Sequence, residues 1–354
     1  MPLFSPDQLA ALAAALYRAM GSADAEAEEA ASHLVRANLA GHDSHGVGML
    51  PSYVRWFQQG LLVPNQVLET VVDDGALLVF DAGFGVGQRL AAEAVRRAME
   101  RAAELGACVL GVRDAGHIGR IGTYGELCAA RGMAFVAFVN VSRGDPLQAP
   151  WAGADARLGT NPFAAAVPRA GADPVLLDMA TSAIAYGKAK VAHNAGKPVP
   201  PGTMIDGAGQ PTTDPAGLVL RREGALLPFG GHKGGGLAVL CELLGAAAIG
   251  GRGADGPPEG GTTNSMLAVV VALDRLGTDP AAVEAACRHV LASPAAGQDQ
   301  VRLPGQPEAE SAERRSRAGI PLDDATWSEI VQAAAQMGVD AAAAAGAGAG
   351  PGVG

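Results

Sequence analysis

The residues best suited to chemistry are concentrated in one stretch, Gly41-His42-Asp43-Ser44-His45-Gly46-Val47-Gly48-Met49-Leu50-Pro51. Histidine, with an ordinary pKa of about 6.5, gives and takes a proton near neutrality. The hydroxyl of Ser44 can donate to or accept from an imidazole or a substrate oxygen. Glycines on both sides let the backbone turn sharply and let a ligand come close. A second cluster, Arg113-Asp114-Ala115-Gly116-His117-Ile118-Gly119, sets a glycine-bracketed histidine at the C-terminal end of an apolar strand. In open α/β sheets that edge is where ligands bind. A third, Gly230-Gly231-His232-Lys233-Gly234-Gly235-Gly236, opens an apolar helix. Successive glycine N–H groups at a helix start form an anion nest and Lys233 adds a point charge, so this segment reads as a phosphate or pyrophosphate cradle. It is not a Walker A loop, because Lys233 is followed by glycine and not by Ser or Thr.

The elements that must position these clusters can be read from capping and periodicity. Ser5-Pro6-Asp7-Gln8 has the form of a helix start, with Ser as N-cap, Pro first in the helix and Gln three after the cap. That helix runs to Met20. A second begins near Ser22 or Asp24, with acids early in it, and delivers the chain to Gly41; a third spans Ser52 to Gln59. Val67–Val72 and Ala76–Phe80 flank Asp73-Asp74-Gly75, a hairpin signal. The glycines at 83, 85 and 87 precede an amphipathic helix and a strand, an order that suggests a Rossmann unit. The fingerprint G-x-G-x-x-G fails, however, because position 88 is Gln. Strands follow at Ala107–Val112, Met133–Val141, Val175–Leu177 and Met266–Leu273, with helices at Ile121–Ala130, from Thr181 to about Asn194, and at Leu237–Ile249. Gly196–Gly217 reads as loop. Asp279-Pro280 starts a helix to His289, a charged helix surrounds Glu313–Arg317, and Asp323 or Asp324 caps a last one to Met337. Ala341–Gly354 is low-complexity Ala/Gly, expected to be disordered or loosely helical.

Composition narrows the class. The chain has 354 residues, 49% hydrophobic and 18% charged, which suits an ordinary globular core. A net charge of −10 with no Lys/Arg stripe argues against a nucleic-acid partner. No apolar run is long enough to span a bilayer. Cys108, Cys128, Cys241 and Cys287 are far apart, with no C-x-x-C and no secretory signal pattern, which points to reduced thiols in the cytoplasm.

Taken together, these stretches make the chain resemble the malate/L-lactate dehydrogenase family of the non-Rossmann type. That family includes sulfolactate, ureidoglycolate and diketogulonate oxidoreductases and a cyclic-imine (piperideine/pyrroline carboxylate) reductase. The matching runs are Gly41–Val47, Gly116–Gly119, Leu158-Gly159-Thr160-Asn161-Pro162, Leu177-Asp178-Met179-Ala180-Thr181-Ser182, Gly231-His232-Lys233-Gly234 and Leu303-Pro304-Gly305, in family order from about Ser5 to Gly338. The resemblance implies an α/β protein: a mixed-sheet cofactor domain plus a helical domain built from both chain ends, working as an intertwined homodimer with NAD or NADP. It implies His45 as proton donor with Ser44 beside it, or His117 as proton acceptor. It also implies cofactor contact at Asp178, Met179, Ala180, Thr181, Ser182, His232, Lys233, Gly234 and Gly305; Gly119, Asn140 and Ser142 join these candidates. Asn161 and Met49 are candidates for the substrate. Many members carry Arg where this chain has Met49, and an Arg there could grip a carboxylate bidentately. Its loss speaks against a small dicarboxylate substrate.

The expected organisation is residues 1–75 as a helical N-terminal part of the substrate and dimer domain, 76–261 as the NAD(P)-binding α/β domain, 262–340 returning to the N-terminal part, and 341–354 as tail. The expected activity is hydride transfer between nicotinamide and a 2-hydroxy or 2-oxo acid. Reduction of a cyclic or N-alkyl imine is the alternative within the family. A metal-dependent hydrolase using His42, Asp43 and His45 is remote: the two histidines are three apart on a glycine-flanked loop, without an H-E-x-x-H helix.

Overall fold

The computed structural model describes residues 2–346. In chain order, β1 (Leu3–Phe4) leads into α1 (Pro6–Ala19), α2 (Asp24–Leu39) and, after two short 3₁₀ turns at Asp43–His45 and Val47–Met49, α3 (Leu50–Gln58). The hairpin β2 (Glu69–Asp74) and β3 (Leu77–Asp81) is followed by α4 (Gly87–Leu105), β4 (Ala107–Gly116), α5 (Gly122–Ala129) and β5 (Met133–Ser142). Then come β6 (Phe163–Arg169), β7 (Ala172–Met179), α6 (Tyr186–Asn194), the two-residue strands β8 (Met204–Ile205), β9 (Pro211–Thr212) and β10 (Ala225–Leu226), and α7 (His232–Gly245). The chain closes with β11 (Thr263–Ala272), α8 (Pro280–Leu291), α9 (Gln306–Ala318), β12 (Ile320–Pro321), α10 (Asp324–Gln336) and α11 (Ala341–Ala344).

Local signals explain the helix ends. Ser5 forms a full capping box with Gln8, and Asp323 caps α10 by accepting from the Thr326 N–H. Gly106, at φ 94°, ends α4 in the left-handed conformation that glycine adopts without strain.

The main sheet has seven strands in the order β2-β3-β4-β11-β5-β6-β7. Only β3 and β4 run parallel; the other neighbours are antiparallel. Its core is apolar residues of the central strands packed under α4 and α5. A second core joins α1, α2 and α3 to Ile320, Leu322 and Ile330 of the C-terminal segment, and β1 pairs with β12. The chain ends therefore build one helical unit, as expected.

The expected boundary at 262 does not hold in space. β11 is inserted between β4 and β5 along nearly its whole length, so residues 263–272 belong to the centre of the sheet. Its run of Val and Ala, apolar on both faces, suits a strand with neighbours on both sides. The return to the helical unit begins only with α9. Strand β6, unread in the sequence, forms a hairpin with β7. Of the Ala/Gly tail, Ala341–Ala344 is helix α11, capped by Asp340, and residues 347–354 lie outside the described residues. Among the described residues, no helix is long and apolar enough to cross a membrane.

Candidate active site

The loop carrying His45 is shaped by two buried or half-buried groups from outside it. Asn38, fully buried at the end of α2, donates to Asp43 Oδ1 (2.7 Å) and accepts from the Val47 N–H (2.8 Å). Gly46 lies so close to the Asn38 amide that a Cβ there would overlap it, which explains the glycine. From α9, Arg315 holds both Asp43 carboxylate oxygens (2.6 and 3.0 Å) and the Asn38 carbonyl (2.5 Å). Glu308, also on α9, faces His42 Nε2 at 3.4 Å. Asp43 and His42 are thus occupied with α9, and Ser44 and His45 are left for the site.

Ser44 Oγ is 2.9 Å from His45 Nδ1. The His45 ring stacks on the His117 ring, with centroids 5.5 Å apart and planes at 27°. His117 Nδ1 in turn lies 2.8 Å from the Tyr53 hydroxyl, which receives the Gln88 amide N–H at 2.7 Å. Two clusters 64 residues or more apart in the chain therefore meet face to face. Below them, His33 of α2 is buried, and Gly119, at φ 72°, lets the chain pass over it: a Cβ would come 2.6 Å from His33 Nε2.

Asp178, near the end of β7, completes this corner. Its Oδ2 accepts from the Gly122 N–H (2.7 Å) and lies 3.9 Å from Arg120 Nε. Burial lowers the His45 pKa, as do His42 and Arg120, while Asp178 works against them. His117 is pushed down to about 3, first by burial and then by His45 and His33. At neutral pH both rings are uncharged at rest, and only His45 has a carboxylate favouring its protonation.

The candidate cofactor segments come together on the other side of Asp178. Phe229 donates to the Thr181 carbonyl and Ala183 to the Leu227 carbonyl, which ties the Asp178–Ser182 run to the start of α7. The Leu303–Gly305 loop docks on β7, where the Leu176 N–H donates to Pro304 O (2.9 Å) and Gly305, at φ 92°, sits against Leu176. The glycine nest is narrower than its composition suggests. The N–H groups of Lys233, Gly234 and Gly235 donate to carbonyls of Gly230, Phe229 and Gly231. What remains for an anion is the turn at Gly231–His232 and the exposed charge of Lys233.

A dinucleotide presents many acceptor oxygens, so a matching site should hold spare donors. Arg120 Nε and Nη2 and Gln148 Nε2 are buried with no hydrogen-bond partner among the described residues. Arg120 stands beside Asp178 and Gln148 beside Thr181, whose Oγ1 is 3.4 Å from Gln148 Oε1. Unpartnered buried donors on both flanks of the run fit the group.

The side chains of four expected contacts are engaged elsewhere. Asn140 donates to Arg252 O and accepts from the Ser265 N–H, and the Ser142 hydroxyl pairs with Thr263 Oγ1 at 2.9 Å; both lock β5 to β11 and its approach. Asn161 is fully buried, accepts from the Val141 N–H, and donates to Ala238 O and Glu242 Oε2, which fastens α7 to the sheet. Met49 packs against the helical core. Conversely, sequence reading did not find Tyr53, Gln88, Arg120, Asn38 or Arg315; Tyr53, Gln88 and Arg315 act on partners distant in the chain.

A mixed sheet with a helical unit from both chain ends, and a histidine pair beside buried donors, is the architecture of a nicotinamide-dependent oxidoreductase outside the Rossmann class. Residues 4–331 match the family model described as malate/L-lactate dehydrogenase, and the chain belongs to that family of NAD(P)-dependent enzymes acting on hydroxy acids or imines. It is 42% identical to hydroxycarboxylate dehydrogenase B of Escherichia coli K12 over 343 residues, 95% of this chain and 94% of the relative. It is 40% identical to an L-lactate dehydrogenase of Cupriavidus necator over 323 residues, covering 88% and 91% of the two chains. A solved Escherichia coli structure of malate/lactate dehydrogenase type superposes with a TM-score of 0.92 at 42% identity, covering 96% of each chain.

Proposed function

We propose that this enzyme catalyses reversible hydride transfer on a small 2-hydroxy or 2-oxo acid, with His45 exchanging the proton of the reacting oxygen. The observation that carries this reading is the corner where His45 meets Ser44, His117 and Asp178. Bound nicotinamide supplies or takes up the hydride. His45 Nδ1 is engaged by Ser44, which leaves Nε2 for the substrate. In oxidation, neutral His45 accepts the hydroxyl proton; in reduction, protonated His45 returns it to the developing alkoxide, beside Asp178. Thr181, Gln148, Gly231, His232 and Lys233 would hold the cofactor, and Arg120 offers its two spare donors to an acceptor beside Asp178.

The protein works as a homodimer in the cytoplasm. In support, α7 shows Val239, Leu240 and Leu243 at 41%, 47% and 51% exposure, an apolar face in want of a cover. The four cysteines are free and buried, as reducing surroundings allow. The test is an absorbance screen of 2-oxo acids with NADH and NADPH, followed by the same screen on His45→Gln. Turnover of 2-oxo acids that vanishes in the variant is expected. Turnover confined to cyclic imines would move the assignment to imine reduction, and full activity in the variant would remove His45 from the chemistry.

A further inference from the structure

Two histidines share the corner, and either could in principle exchange the proton. The hydrogen bonds behind His117 distinguish them. Tyr53 is 1% exposed, and its hydroxyl has one hydrogen to give. It receives the Gln88 Nε2–H at 2.7 Å and lies 2.8 Å from His117 Nδ1. Among the described residues its oxygen has no other hydrogen-bond partner. If Nδ1 carried a proton and donated to Tyr53, the hydroxyl would accept twice and its own hydrogen would be buried without an acceptor. The arrangement that satisfies every group has Gln88 donating to Tyr53 and Tyr53 donating to Nδ1.

We infer that Tyr53 and Gln88 hold His117 in the neutral Nε2–H tautomer, so that His117 donates a hydrogen bond to the reacting oxygen and keeps its proton, leaving proton exchange to His45. This rests on the reaction proposed above for its functional half, whereas the tautomer follows from the hydrogen bonds alone. Tyr53 and Gln88 are positioning residues, acting through His117. The surroundings agree. His117 faces His45 from the loop, His33 from α2, and Tyr53 and Trp56 from α3, with no carboxylate among them. A second proton on the ring would have to enter at Nδ1, displace the Tyr53 bond and sit beside two other imidazoles. During oxidation the substrate O–H proton passes to His45 as the hydride leaves for nicotinamide, and the Nε2–H of His117 stabilises the oxygen while its charge changes.

The experiment is imidazole nitrogen NMR on ¹⁵N-labelled protein without cofactor at neutral pH, with His117 assigned by its loss in His117→Gln. Protonated Nε2 with bare Nδ1 is expected in the wild type, and a mixture of tautomers in both Tyr53→Phe and Gln88→Met. Kinetically, Tyr53→Phe should lower kcat about tenfold, the size of one lost hydrogen bond, with a smaller change in KM. His117→Gln, whose amide can still donate, should retain the ionisation of the pH profile that His45→Gln removes. A wild-type Nδ1–H tautomer at His117 would overturn the inference whatever Tyr53→Phe and Gln88→Met show. A pH ionisation lost in His117→Gln and kept in His45→Gln would overturn its functional half. An enzyme inactive on every acid tested would bear on the reaction and leave the spectrum to decide the tautomer.

Discussion

The two histidines of the corner are 5.5 Å apart and sit in unlike seats. His45 rides on a short 3₁₀ turn with an exposed serine at its Nδ1 and an acid nearby, and its loop is pinned from behind by Asn38 and Arg315. His117 follows a central strand and is backed by a buried tyrosine, a buried glutamine and a third histidine. A seat with an acid nearby allows a ring to change charge, because the carboxylate stabilises the imidazolium. A seat with a hydroxyl behind Nδ1 and no acid suits a ring that stays neutral. The same side chain is thus given two tasks by its surroundings.

The sharpest way to break this contrast is to remove the ring that moves. His45→Gln should lower kcat by ~10²–10⁴-fold, the usual worth of a positioned acid or base, with cofactor affinity by calorimetry nearly unchanged. A loss below about tenfold would make the two seats equivalent.

The next largest effect should come from loosening the His45 seat without touching its chemistry. Arg315→Ala removes the clamp on Asp43 and Asn38 from 272 residues away in sequence. It should lower kcat/KM by up to about 10²-fold, since small misplacement of a reacting group is expensive. The imidazole spectrum of His117 should stay as it was. A shift at His117 comparable to that at His45 would show that the seats are coupled.

How much of this was legible from sequence depends on the range of the interaction. The capping box at Ser5, the cap at Asp323, the hairpin around Gly75 and the placing of His117 at a strand end are local, and local patterns carried them. The His45–His117 contact follows from two motifs being recognised together, not from any spacing. The structural bonds of Asn140 and Asn161 left no mark in the sequence, because a buried asparagine near glycines looks alike whether it serves a ligand or an unpaired backbone group. The insertion of β11 between β4 and β5 left no local trace. Its apolar run fits any buried strand, and strand order is decided by pairing across more than 120 residues.

The buried histidine beneath the pair also predicts a pH effect on stability. Burial, reinforced by Arg36 and Arg120, pushes His33 down to about 3 from the ordinary 6.5. The unfolded chain therefore binds a proton between those values that the folded chain refuses, so stability rises with pH through that window and is lost as pH falls below 6.5. The slope from this one group is up to about 1.4 kcal/mol per pH unit. His33→Gln should flatten the acid limb of a stability-versus-pH curve measured by urea unfolding. An unchanged limb would mean that His33 is protonated, or reached by water, in the folded state.

The smallest effect is expected at Met49. Its sequence position invites a substrate role, because the family resemblance implies an arginine there. Its side chain instead packs against the helical core, in a turn where a Cβ on neighbouring Gly48 would lie 3.4 Å from Thr326 of α10. A half-buried thioether in such a contact is worth its packing and little else. Met49→Leu keeps the volume and the apolar contact, so it should cost less than about 1.5 kcal/mol. The kcat/KM ratio between a small dicarboxylate and a bulkier apolar 2-oxo acid should stay flat. Stability by urea unfolding and that ratio should be measured on the same preparation, since packing and recognition predict different pairs of results. A ratio that shifts by tenfold with stability unchanged would place Met49 in the substrate pocket and extend the His45 seat one turn further along the loop.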